Sequence, residues 1–224
     1  MEDKVKIKVL GVCGSPIKKG NTEQLLARAL EVAREEGAET ELVSLAKKQI
    51  SDCIHCNWCL AKQKEGHYCS IKDDMTEFYE PILNADVILF ATPVYLGRLS
   101  GQLADFIDRL RCIEFGNFYE DRVRDKVGGA LAVAWARNCG METALLSIVT
   151  TLLMLDMIPV GTHMVPLGAA GVSSIHGTGE FDVEDKLLVL KDESGLKSAE
   201  ILTRRAIELA RIVKSGKESL ESAP

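Results

Sequence analysis

The sequence predicts an α/β fold, a doubly wound five-stranded parallel sheet with a cysteine-rich loop inserted after the second strand. Three observations predict it. Short β-branched or apolar runs alternate with segments of helical periodicity, the pattern of right-handed strand–helix–strand crossovers. The runs from Val87 to Ala91 and from Val127 to Ala134 are continuously apolar, as strands buried on both faces are. The 224 residues suit a single domain, 1–224, with the cysteine-rich segment at about 50–72 lying within it.

Val5 to Val12 reads as the first strand, broken by Gly14-Ser15-Pro16. Asn21-Thr22-Glu23 then caps a helix whose apolar positions, Leu25, Leu26, Ala29, Leu30 and Ala33, recur at helical spacing until Gly37. Thr40 to Leu45 is the second strand. Helical rhythm returns from Asp73 to about Asn84, and Val87 to Ala91 follows as the third strand, stopped by Pro93. A helix is expected from about Ser100 to Cys112, the fourth strand from Val127 to Ala134, and a long buried helix from Met141 to Leu155. Ile158 to Val165 completes the strands. The Gly- and Ser-rich residues 167–185 read as a long loop, and so long a loop implies a role as a lid or a subunit contact. Ser198 to Val213 is the last helix, with a frayed tail beyond it. Five strands so connected suit the order 2-1-3-4-5.

Composition excludes several classes. A net charge of −6 and a pI near 5.4 leave no basic footprint for nucleic acid. Mean hydropathy is +0.05, and no apolar run approaches the roughly 18 residues of a membrane span. The opening Met1-Glu2-Asp3-Lys4 is unlike a signal peptide, so a cytoplasmic location is expected. In that compartment the seven cysteines read as metal ligands, redox groups or buried thiols rather than as a disulfide frame.

Three loops follow strands at the edge where such sheets bind ligands. The first runs from Gly14 to Thr22. It joins a helix N-terminus, with free amides and a partial positive charge, to Ser15, Pro16, Lys18, Gly20, Asn21 and Thr22, and so suits a phosphate. It lacks both the G-x-G-x-x-G pattern and the Lys-Ser/Thr ending of a P-loop. A plain strand–helix turn would read the same way. The second loop, Thr92 to Gly101, offers Pro93, Val94, Tyr95, Leu96 and Gly97, with a flat face at Tyr95. The third carries Arg137, Asn138, Cys139 and Gly140. Ordinary packing of Tyr95 and a solvated Arg137 are the alternatives.

The first and second loops resemble the NADPH-dependent FMN reductase-like branch of the flavodoxin fold, over about residues 5–165. The resemblance implies bound FMN, its phosphate near Ser15, Asn21 and Thr22 and its isoalloxazine ring near Pro93 to Gly97.

Cys53, Cys56 and Cys59 are each separated by two residues, and Cys69 follows. Three thiolates on one tight loop give the local geometry for three corners of an iron–sulfur cubane, which Cys69 can close. A zinc site aided by His55 or His67, or free thiols, remain alternatives. Cys13 and Cys112 read as small buried hydrophobes, and Cys139 as a thiol beside the flavin loop. Joined to the flavin motifs, the cluster resembles the archaeal and anaerobic iron–sulfur flavoproteins, as does Asp73-Asp74-Met75. That resemblance implies a 4Fe-4S cluster on Cys53, Cys56, Cys59 and Cys69, although nine residues separate Cys59 from Cys69, more than in the family's compact pattern. It also implies a homo-oligomer, dimer or tetramer, in which one subunit's cluster faces another's flavin.

The function expected is electron transfer between a ferredoxin-like donor, the cluster and FMN. One alternative is an NAD(P)H-dependent FMN or quinone reductase with a structural or zinc-bound cysteine loop, Arg98 or Arg137 meeting a 2′-phosphate. A non-enzymatic redox sensor is another.

Overall fold

The computed structural model describes residues 5–222. The readings of Met1 to Lys4 and of the final two residues, 223–224, lie outside them. The strands β1 (Lys8–Cys13), β2 (Glu39–Ser44), β3 (Val87–Pro93), β4 (Val127–Ala134) and β5 (Ile158–Val160) form a parallel sheet in the order β2-β1-β3-β4-β5. A sixth strand, β6 (Ala169–Val172), also pairs with β4 in parallel. Between and after the strands run α1 (Asn21–Glu35), α2 (Trp58–Ala61), α3 (Tyr79–Asn84), α4 (Gly101–Asp108), α5 (Arg111–Glu114), α6 (Met141–Met154) and α7 (Glu193–Glu221).

Strand alternation splits the core in two. Val87, Leu89 and Ala91 face one side, where Leu26 and Leu30 of α1 and Leu202 and Ile207 of α7 cover them. Ile88 and Phe90 face the other, under Ile82, Leu103, Phe106, Leu145 and Ile148. Both faces are covered, which is why β3 and β4 carry no polar alternation.

The structure departs from the expected elements in five places. The single fifth strand is broken: β5 pairs with Val127–Gly129 of β4, the chain leaves the sheet over 161–168, and β6 returns beside Leu131–Ala134. Residues 169–172 of the expected loop are therefore strand, hidden from the sequence by their small side chains. The helix expected over 100–112 splits into α4 and α5, and the one expected from Asp73 opens as a 3-10 turn, Asp74–Phe78, before α3. α6 is buried on one face only, with Leu146, Leu153 and Met154 more than half exposed. α7 continues to Glu221 instead of fraying after Val213. Lys214 pairs with Asp86 at 3.1 Å and Lys217 with Asp125 at 3.1 Å, which pins its last turns to the sheet's lower edge. No helix among the described residues is long and apolar enough to cross a membrane.

Candidate functional site

β1 and β3 are neighbours whose crossovers leave in opposite directions, so a crevice opens beyond their carboxyl ends. A cleft of about 1370 Å³ lies there. From the first loop Ser15, Lys18, Gly20, Asn21 and Thr22 line it, and from the second Pro93, Val94, Tyr95 and Leu96. Gly20 is the extended N-cap of α1, so the first amides of that helix have no partner within it. Ser15 and Thr22 are buried at the cleft floor. Ser100 caps α4 and donates its hydroxyl to the Gly14 carbonyl at 2.6 Å, tying the first loop to the second.

The second loop is a two-residue hairpin. Tyr95 and Arg98 exchange backbone hydrogen bonds around Leu96 and Gly97, both with positive φ. Gly97 itself lies outside the cleft lining, because Gly140 packs against it: a Cβ at Gly140, whose φ is +92°, would sit 2.4 Å from the Gly97 Cα. Of the third loop, Arg137, Asn138 and Gly140 do not line the cleft, nor does Pro16 of the first. The Arg137 guanidinium bonds Asp192 at 3.0 Å, and its backbone N–H donates to the Gly177 carbonyl.

Sequence reasoning missed Trp135, which follows β4, and the wall formed by residues 181–188. Trp135 and Phe181 stack at the rim with ring centroids 4.6 Å apart. Asn21 fastens this wall. Its amide donates to the Lys186 carbonyl at 2.8 Å and accepts from the Val189 N–H at 3.0 Å. The side chain expected beside a phosphate is therefore committed to the wall, and what Asn21 offers the cleft is its backbone amide. One of only two tryptophans, placed at a strand end facing the crevice, was a signal for Trp135.

Away from the cleft, Cys53, Cys56, Cys59 and Cys69 line one small cavity together with Arg109 and Arg111. His55 and Asn57 both take left-handed φ, which turns the loop around Cys56. Cys56 contacts the Ser70 hydroxyl at 3.2 Å, and Arg111 donates to the Cys59 Sγ at 3.6 Å. The loop's far end is stapled from inside. Arg109, 1% exposed, bonds Asp73 at 2.7 Å and the Ser51 and Ile71 carbonyls at 3.0 and 3.4 Å. His55 and His67 are exposed and stand outside this cavity's lining.

Residues 7–171 match the NADPH-dependent FMN reductase family. An iron–sulfur flavoprotein of Methanocaldococcus jannaschii is 37% identical, the alignment covering 93% of this chain and 100% of that protein. One from Archaeoglobus fulgidus is 38% identical over 90% of this chain and 96% of its own length. The chain belongs to the iron–sulfur flavoproteins of the FMN reductase family. Among solved structures, RosB with a bound 8-demethyl-8-formylriboflavin-5′-phosphate intermediate superposes with a TM-score of 0.72, covering 97% of this chain and 88% of that one. At 17% identity that likeness shows the flavodoxin-like fold.

This flavoprotein is thus a flavin redox protein, and its cleft and its cysteine cavity differ in chemistry. The cleft offers free helix amides for a phosphate and a largely apolar wall for a ring system. In the cysteine loop, the Ser70 hydroxyl and the Trp58 amide hold the Cys56 thiol below its ordinary range. Burial pushes the Cys59 thiol up, opposed by Arg111. Cys13 and Cys112 are buried, their thiols pushed up to about 12, and behave as inert apolar groups.

Proposed function

We propose that this iron–sulfur flavoprotein transfers electrons between a ferredoxin-like partner and FMN through a 4Fe-4S cluster carried by Cys53, Cys56, Cys59 and Cys69. The observation that carries this reading is the gathering of all four cysteines, the distant Cys69 included, around one cavity in a flavoprotein fold. When bound, the cluster supplies electrons singly and the flavin exchanges one or two.

The chain's own residues divide the remaining work. The amides of Asn21 and Thr22, with the Ser15 hydroxyl, receive the FMN phosphate, and Lys18 adds positive charge at the mouth. Pro93, Val94, Tyr95 and Leu96 border the ring, while Gly97 and Gly140 hold that hairpin in place. Asn138, at positive φ, turns the third loop, and Arg137 anchors the 173–192 segment through Asp192. Both cofactors would sit in one domain of a cytoplasmic protein. A homo-oligomer, dimer or tetramer, is supported by the groove that joins Cys53 and His55 to the exposed apolar Leu146 and Met154 of α6.

Anaerobic stopped-flow reduction tests the reading. Reduced ferredoxin should reduce the flavin of the native protein, and Cys69→Ala should keep its FMN while losing that reaction. Ferredoxin-driven reduction undiminished in Cys69→Ala would sink it. A second reading, NAD(P)H as the donor, is favoured by a cleft of about 1370 Å³, roomy enough for a further planar ligand beside the flavin. Rapid flavin reduction by NADPH, unaffected by loss of the cysteines, would select it.

A further inference from the structure

Two guanidinium groups line the cysteine cavity, and their charges are not equivalent. Arg109 is matched by Asp73, itself nine-tenths buried, in a 2.7 Å ion pair. Arg111 has no carboxylate partner among the described residues; it donates to the Cys59 Sγ at 3.6 Å and to the Asn57 Oδ1 at 2.9 Å. Its positive charge therefore faces the sulfurs without a counter-charge of its own.

We propose that Arg111 sets the reduction potential of the cluster, raising it above what the four cysteines alone would give. The inference rests on the cluster reading above. A cluster becomes one unit more negative when it takes up an electron, so an uncompensated cation beside it stabilises the reduced state more than the oxidised one. A hydrogen bond to a ligating sulfur acts in the same direction, by drawing charge from the thiolate. The half-buried position of Arg111 limits screening by solvent and salt. Arg111 also holds Asn57 in the left-handed turn that follows Cys56, so one side chain shapes the loop and biases its charge.

The test is an anaerobic redox titration of the holoprotein, following the electron paramagnetic resonance of the reduced cluster with the flavin absorbance as internal reference. Arg111→Lys, Arg111→Gln and Arg111→Glu are compared after iron and sulfide analysis. The cluster midpoint should stay near the wild-type value for Lys, fall for Gln and fall further for Glu, while the flavin midpoint moves less. A shape-filling role would instead order the variants by size. If one variant fails to retain iron, the order of the other two still decides. Iron-loaded Gln and Glu variants with the wild-type midpoint would overturn this inference alone. Native protein without iron or sulfide would remove the cluster reading and this inference with it.

Discussion

Asp73 joins three parts of the cysteine loop. One carboxylate oxygen accepts from the Ser51 N–H and from Arg109, and the other accepts from the Met75 N–H and caps the 3-10 turn. Burial alone would raise its pKa, but Arg109 and the Ser51 amide outweigh it and hold the carboxyl below the usual range. The folded state therefore binds this proton less readily than the unfolded chain. The stabilisation is complete above the ordinary carboxylate pKa and is lost as pH falls through the lower folded value. Asp73→Asn should lose about 3–5 kcal/mol at neutral pH, because the buried Arg109 charge is left unpaired, and its urea midpoint should lose this part of the acid dependence. Gly140→Ala should cost about 2 kcal/mol or more, since strain at φ +92° adds to the collision with Gly97. A denaturation midpoint equal to the native protein's would contradict the packing described. At this scale the sequence was most legible where chemistry is local. The cysteine spacing marked the four residues that gather at one cavity, and the Gly14–Thr22 segment marked a helix N-terminus. The pairing of Arg137 with Asp192 was not legible, because its partner is 55 residues away and nothing in its own neighbourhood announces it.

Among the elements, the wall at residues 181–188 is the one the sequence concealed most. It lies 165 residues from the Asn21 side chain that fastens it, and its composition resembles any surface loop. The 167–185 segment, expected to serve as a lid or a subunit contact, borders the cleft in its second half through Phe181, Asp182, Val183 and Asp185. Its first half is β6, strand made of residues too small to show a hydrophobic run. If the wall retains FMN, Asn21→Ala should weaken FMN binding about tenfold, the equivalent of about 1.4 kcal/mol for two lost hydrogen bonds. Flavin fluorescence titration reads this directly, and unchanged affinity would show that the wall does not hold the ligand.

Over the whole molecule, strand order was legible because apolar runs buried on both faces, separated by amphipathic helices, admit few topologies. The break between β5 and β6 was not, since it depends on where the chain leaves and rejoins one edge of β4. The central claim is that this fold holds two redox groups, one in the cleft beyond β1 and β3 and one in the cysteine cavity. Purification without oxygen, followed by iron, acid-labile sulfide, zinc and FMN analysis with spectra before and after dithionite, tests it most directly. The account predicts about four irons and four sulfides for each FMN, with absorbance that bleaches on reduction. FMN accompanied by zinc, or by no metal, would contradict it.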